Sequence, residues 1–360
     1  GGDRDGNPFV TTKITLKTAN KLRSDIIKNY YRDIRSLRRR LTFKNIESKV
    51  IDIENRLYRS IFNENKAPKI TLDELKNSLN EIKIILISEH NSLFLDELQD
   101  IIDKVKIFGY HFASLDIRQD SRIHSSAFNS IFKISQQKLN KLFPENYLQL
   151  DELKKIKIIS KIKGDISPDL FDDNLAKSTL SSIRAMKEIQ KENGEKACNR
   201  YIISNNQSAL NILEVFTMFR LSDWDSPTVD IVPLFETVSD LKVASVVMDL
   251  VYSNSIYKKH LEQRKNQQTI MLGFSDGTKD GGYLMANWSI LKAKEALTSI
   301  SRKHGVKVIF FDGRGGPPAR GGGNTHQFYS SMGTFVESDE IQLTVQGQTI
   351  SSNFGTIQSC

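Results

Sequence analysis

From residue 200 onward, short apolar runs alternate with stretches of helical length. The runs lie at 201–204, 229–235, 269–274, 306–311 and 341–345, and helical periodicity fills 207–220, 239–252, 280–301 and 325–332. A strand that is apolar on both faces must be covered on both, and strands separated by helices pair in parallel. This rhythm constrains the fold more than any other feature and sets its class as α/β. A stretch of aromatic, alternating character at 109–117 predicts a sixth strand. The simplest closed form is most of a (β/α)8 barrel carrying many additional helices, with an open doubly wound sheet as the alternative. No fixed-period repeat is visible.

Glycine divides the chain in two. Only Gly1, Gly2, Gly6, Gly109, Gly164 and Gly194, six of the 20, precede residue 270. Helices tolerate few glycines, whereas loops that approach a ligand need them. The first part accordingly reads as helix. Apolar residues recur at helical spacing from Ile14 to Leu37, a second helix covers about 47–63, and Thr71-Leu72-Asp73-Glu74 has the form of a capping box opening a third stretch that runs to about 106. Further helix is expected at 120–137, 145–160 and 176–193. The expected division is a helical segment at 1–107, a first barrel strand with inserted helices at 108–200, and the βα units of an incomplete barrel at 201–360.

Charge excludes less than it first suggests. The chain of 360 residues has a formal net charge of +8. Residues 1–200 hold 37 Lys and Arg against 28 Asp and Glu, and residues 201–360 hold 14 against 15. The surplus follows the helical part, and its densest cluster, Arg38-Arg39-Arg40, lacks the interleaved aromatics that stack on bases. No nucleic-acid partner is expected. No apolar run reaches the length of a membrane span, and the N-terminus has no signal-peptide character. Two cysteines far apart, Cys198 and Cys360, make neither a metal pair nor a disulfide framework, which suits a reducing cytoplasm.

Barrel enzymes carry their sites where strands pass into βα loops. Here those positions are Arg118-Gln119-Asp120, Ser204-Asn205, Glu236, Ser275-Asp276-Gly277-Thr278-Lys279-Asp280, Asp312-Gly313-Arg314-Gly315-Gly316 and Gln346. A barrel brings them to one mouth holding two carboxylates, a lysine and at least two arginines. Such a set suits an anionic substrate and a hard divalent cation, Mg²⁺ or Mn²⁺. Glu236 and Asp276 are the candidate ligands. The competing reading makes each a cap of the following helix, although Ser239 and Asp240 already supply caps after Glu236. The glycines of 312–325, with Arg314 and Arg320, form an anion-binding loop that is neither a Walker A loop nor a dinucleotide fingerprint. His90, His260 and His304 read as surface or structural, and His111 as packed in a strand. His124 and His326 are candidates to line the mouth. Cys198 has no base partner and no catalytic role.

Six stretches together resemble phosphoenolpyruvate carboxylase. They are Gly1-Gly2-Asp3-Arg4-Asp5-Gly6-Asn7-Pro8, Leu115-Asp116-Ile117-Arg118-Gln119-Asp120-Ser121, Val232-Pro233-Leu234-Phe235-Glu236, Gly273-Phe274-Ser275-Asp276-Gly277-Thr278-Lys279-Asp280-Gly281-Gly282, the glycine run 313–323, and Thr344-Val345-Gln346-Gly347. Each is weak alone, but all six occur in the family's order. The resemblance implies a carbon dioxide-fixing, anaplerotic lyase that converts phosphoenolpyruvate and bicarbonate to oxaloacetate and phosphate with Mg²⁺ or Mn²⁺ bound. Bicarbonate attacks the phosphoryl group, giving carboxyphosphate and the enolate of pyruvate, which then captures CO₂. By resemblance, Glu236 and Asp276 match the metal ligands. Arg118 and Arg314 match the arginines that hold the phosphoryl and bicarbonate groups, beside Gly315 and Gly316. Lys279 matches a cation lining the site. Arg320 matches an arginine shared between catalysis and binding of an acidic feedback inhibitor such as aspartate or malate. The family assembles as homotetramers.

Two departures qualify the resemblance. Asp312 stands where many members carry a histidine, and an acid cannot supply the same positive donor. The family's Thr-Ala-His-Pro-Thr segment, whose histidine assists carboxylation, belongs before the first motif. The chain is therefore expected to be a central segment, and the isolated polypeptide to be inactive. The alternative is a non-catalytic piece that only binds metal or an anionic metabolite, or acts structurally.

Overall fold

The computed structural model describes residues 4–7, 9–62, 70–137, 142–273, 275–313 and 325–345, with 350, 355–356 and 358. The chain divides into two compact units. One comprises Thr12–Leu115 with Ala185–Asn199, the other Gly2–Thr11, Asp116–Arg184 and Arg200–Cys360.

The first unit is helical, with α1 (Thr12–Arg38), α2 (Glu47–Phe62), α3 (Leu72–Glu89) and α4 (Leu95–Phe108). Leu75, Leu79, Ile82 and Leu86 bury one stripe of α3, at the spacing that keeps side chains on one helix face. The capping box expected at its start is present: Thr71 Oγ1 accepts the Glu74 amide at 3.2 Å, and the Thr71 amide donates to Glu74 Oε2 at 2.8 Å. That amide, with help from Arg56, holds the Glu74 carboxyl down at about 2. Tyr30 Oη lies in the core and donates to Gly109 O at 2.7 Å.

The strand expected at 109–117 is displaced. Gly109 ends α4 with φ +46°, where a Cβ would lie 3.0 Å from the His111 ring, and Phe112 also takes a positive φ. The segment 109–115 turns instead of extending. Tyr110 is buried, and its hydroxyl donates to Ile70 O at 2.8 Å. Its aromatic character reports burial against helices, and the strand β1 is Asp116–Asp120.

After β1 the chain continues with α5 (Ser121–Gln137), α6 (Glu152–Ile159), α7 (Asn174–Asn193, which passes from the second unit into the first at Ala185), β2 (Arg200–Ser204), α8 (Ala209–Arg220), β3 (Asp230–Phe235), α9 (Val238–Ser253), α10 (Ser255–Gln263), β4 (Gln267–Leu272), α11 (Ser275–Lys303), β5 (Lys307–Asp312), α12 (Thr325–Ser330) and β6 (Ile341–Leu343). The six strands lie in chain order, and every neighbouring pair is parallel. A doubly wound sheet reverses its strand order at a switch point. This one does not, so the open alternative is set aside. The sheet also curls. Arg200 of β2 donates to Gln342 Oε1 of β6 at 2.8 Å. In a flat sheet, strands four places apart are separated by about 19 Å, beyond the reach of these two side chains. The architecture is a partial α/β barrel, unclosed among the described residues.

Alternation assigns the two faces of the sheet. Ile202, Val232, Leu234 and Met271 cluster with Phe311 on the inner face. Their register partners and next-but-one neighbours share it, including Arg118, Arg200 and Gln342. Residues of opposite parity face the helices. Gln268 of β4, for example, accepts the Tyr257 hydroxyl of α10 at 2.9 Å. Among the described residues no helix is long and apolar enough to cross a membrane.

Candidate functional site

The C-terminal ends of β1 and β3 bring together residues far apart in sequence. Arg118 Nε donates to Asp5 Oδ2 at 2.9 Å, and its guanidinium Nη2 stands 3.5 Å from Glu236 Oε1. The other oxygen, Glu236 Oε2, accepts the Asn205 amide just past β2 at 2.7 Å. The segment bearing Asp5 is itself held to β1, because the Arg4 amide donates to Arg118 O at 3.0 Å. The side chains of Asp5, Arg118 and Glu236 are partly shielded, 14, 28 and 18% exposed. This suits a site open to a small ligand but low enough in dielectric for charge to matter.

Glu236 is not a helix cap. Thr237 caps α9 through its own capping box, with Oγ1 accepting the Asp240 amide at 3.1 Å and the Thr237 amide donating to Asp240 Oδ2 at 3.0 Å. The expected cap Asp240 takes part, but the N-cap is Thr237 and not Ser239. This leaves the Glu236 carboxylate turned toward Asn205 and Arg118.

Strand β4 closes up on this corner. The Gly273 amide donates to Phe235 O at 2.8 Å. A Cβ on Gly273 would lie 3.0 Å from Glu236 Cα and 3.3 Å from Phe235 O, so only glycine allows this approach. The Asp276 backbone lies in the first turn of α11, just beyond, and its side chain is outside the described residues. Lys279 lies on the same helix with an exposed side chain, before the break at Gly282, where φ is +77°. Arg314, Gly315, Gly316, Arg320 and Gln346 lie outside the described residues.

Asp120, at the end of β1, binds Arg122, whose Nε and Nη2 approach its two oxygens at 2.9 and 2.7 Å. Burial alone raises the Asp120 carboxyl, but Arg122 and its amide hold it below its ordinary value. The histidine candidates separate. His124 is fully buried, and its Nε2 lies 2.8 Å from the Tyr201 hydroxyl, with burial pushing the imidazole down to about 3. It packs the core beneath α5 and does not line the mouth. His326 is exposed on α12. His260 is buried as well, a core residue beside Phe216 and Tyr257.

Asp5 lies outside the strand-end positions read from the sequence, whereas Asn205 lies among them but without an assigned role. Asp5 carried a signal, an acid in a glycine-rich segment ahead of the first helix. Asn205 acts through its backbone amide, which no side-chain pattern discloses. Among the described residues no three His, Cys, Asp or Glu side chains cluster as a metal site.

A family model for phosphoenolpyruvate carboxylase matches residues 1–71 and 54–360. The phosphoenolpyruvate carboxylase of Nitrosomonas europaea is 32% identical to the chain, over 98% of the chain and 43% of that protein. The chain thus spans less than half the length of this curated relative. The motif residues Arg118 and Glu236 meet at one corner of a parallel, barrel-like sheet, and the family match covers nearly all the sequence around them: the chain belongs to the phosphoenolpyruvate carboxylase family.

Proposed function

We propose that the second unit carries the oxyanion- and cation-binding part of a site that carboxylates phosphoenolpyruvate with bicarbonate to oxaloacetate. The observation that carries this reading is the approach of Arg118 at the end of β1 to Glu236 at the end of β3, across β2, with the second Glu236 oxygen fixed by the Asn205 amide.

Glu236 and Asp276 would hold Mg²⁺ or Mn²⁺. The oxygen chemistry fits a hard cation, and the glycine-only contact at Gly273 packs the two loop starts together. When bound, the cation supplies Lewis-acid charge opposite the negative charge that develops on the substrate. Arg118 presents a planar fork suited to phosphoryl or bicarbonate oxygens. Its contact with Glu236 is long, at 3.5 Å, so an oxyanion competes for that edge, while Asp5 holds the Nε side in place. Arg314 and Arg320, with Gly315 and Gly316, join the same role through their motif, and Lys279 adds positive charge. The reaction proceeds by bicarbonate attack on the phosphoryl group. The enolate so formed takes up CO₂ released from carboxyphosphate, and excluding water keeps it from being protonated instead. An acidic feedback inhibitor would meet Arg320.

Because the chain spans less than half of its relative, binding is the direct test. Titration calorimetry with Mn²⁺ and then phosphoenolpyruvate is expected to give saturable heats that disappear in Glu236→Ala and Asp276→Ala. Binding unchanged in both variants would refute the assignment.

A further inference from the structure

Asp312 ends β5 directly before the glycine run, but its parity differs from that of the site residues. Phe311 packs on the inner face, so Asp312 points into the helix layer. There it is only 6% exposed. Asp312 Oδ2 accepts from Lys294 Nζ of α11 at 2.8 Å and from Tyr329 Oη of α12 at 2.5 Å. Lys294 is 1% exposed, with its ammonium 5.4 Å from the Phe310 ring centre and 5.3 Å from that of Tyr329. An apolar cavity of about 280 Å³, lined by Leu272, Leu284, Trp288, Leu291, Phe328 and Met332, lies against the pair. In such surroundings an unmatched charge is strongly disfavoured, so the ammonium and the carboxylate hold each other in place.

The pair connects to the site through backbone. Gly313 follows Asp312, and a Cβ there would lie 3.1 Å from Leu272 O and 3.8 Å from Gly273 Cα. Gly273 in turn abuts Glu236 Cα. A shift at Asp312 therefore reaches Glu236 through two close glycine contacts.

We propose that Lys294, Asp312 and Tyr329 form a positioning unit for the site. Asp312 does not meet the substrate. Its carboxylate is taken up by the other two side chains and sets where Gly313 leaves β5, and hence where Glu236 sits. The Tyr329 bond also ties the residue before the glycine run to the helix after it. The effect on the site rests on the proposed cation-binding reading, but the tie itself does not.

The test uses the full chain. Tyr329→Phe keeps the ring and both charges and removes only the hydroxyl donor. Its circular dichroism is expected to match that of the unmodified chain. Amide hydrogen exchange in peptides covering 307–313 and 325–332 is expected to accelerate roughly tenfold in both. The Kd for Mn²⁺ is expected to rise roughly fivefold. Exchange within about twofold of the unmodified chain in either peptide overturns the tie. Accelerated exchange with an unchanged Mn²⁺ Kd overturns the positioning role and leaves a purely structural bond. If the unmodified chain binds no Mn²⁺, the cation reading fails, and the exchange result still decides the tie. Asp312→Asn alone leaves Lys294 unmatched and is expected to unfold readily. Lys294→Met with Asp312→Asn removes both charges but keeps an acceptor for Tyr329, and is expected to fold, with exchange in both peptides faster than in the unmodified chain but slower than in Tyr329→Phe; exchange equal to that of the unmodified chain would overturn the part given to Lys294. Exchange in the double variant as fast as in Tyr329→Phe would also overturn the proposal.

Discussion

Glu214 makes the stability of the second unit fall with rising pH. It sits in α8 at 6% exposure, and Ser125 Oγ of α5 donates to its Oε2 at 3.0 Å. Burial pushes its carboxyl from 4.5 up to about 7, opposed by the Ser125 bond and Lys155 and reinforced by Glu152. Between those values the folded chain holds a proton that the unfolded chain has released. The contribution is therefore fully present below pH 4.5 and is lost as pH rises through about 7. From pH 5 to pH 8 the loss is about 2.5 kcal/mol. His124 and His260 act in the opposite sense. Burial holds both near 3, so their contribution is present above 6.5 and is lost as pH falls toward 3. The pH profile of the unmodified chain mixes these slopes, and the difference between Glu214→Gln and the unmodified chain isolates the glutamate. Urea denaturation followed by tryptophan fluorescence, to which Trp224, packed on Phe219, contributes, reads that difference. The variant is expected to gain about 2.5 kcal/mol on the unmodified chain between pH 5 and pH 8. A difference constant to within about 0.5 kcal/mol would mean that Glu214 ionises in the fold without cost, and the reasoning would be refuted.

Other substitutions test separate parts of the structure. Gly273→Ala forces a Cβ against the Glu236 and Phe235 backbone and is expected to cost about 1–3 kcal/mol, read from the denaturation midpoint. Thr71→Ala removes the α3 cap and is expected to cost about 1 kcal/mol in the same assay. Lys294→Met leaves Asp312 buried without its cation and is expected to cost about 3–5 kcal/mol, more than the double variant with Asp312→Asn. Arg118→Gln is expected to weaken phosphoenolpyruvate binding at least tenfold, or by about 1.4 kcal/mol, and calorimetry at fixed Mn²⁺ reads it directly.

Much of the fold was legible because its signals are local. The apolar runs at 201–204 and 229–235 mark β2 and β3 to within a residue, and the Thr71–Glu74 box marks the start of α3. The failure at 109–117 has a local cause too. Aromatic alternation signals burial, and Tyr110 is buried against helices after a glycine turn. α10 went unread because it follows α9 with only Asn254 between them, and Asn254 caps both the end of one helix and the start of the next. Of the site, motif residues Arg118 and Glu236 were legible, whereas the close backbone approach that requires glycine at 273 was not. His124 was not, because a histidine after a strand looks alike whether it faces the mouth or, as here, Tyr201.

The sequence by itself determined the class of the fold and the family. Side-chain alternation, helical periodicity, caps and motif order are properties of neighbouring residues, and they survive without knowledge of the rest of the chain. Only the tertiary structure decided the partners. Asp5 lies 113 residues from Arg118, and Asn205 lies 31 from Glu236, and no local pattern records their approach. The same holds for Asp312, which reads as a site residue by position and becomes the partner of Lys294 and Tyr329 by the face it occupies. A strand sends alternate side chains to opposite faces, so one residue of parity separates a group that can meet a ligand from one that holds the scaffold in place.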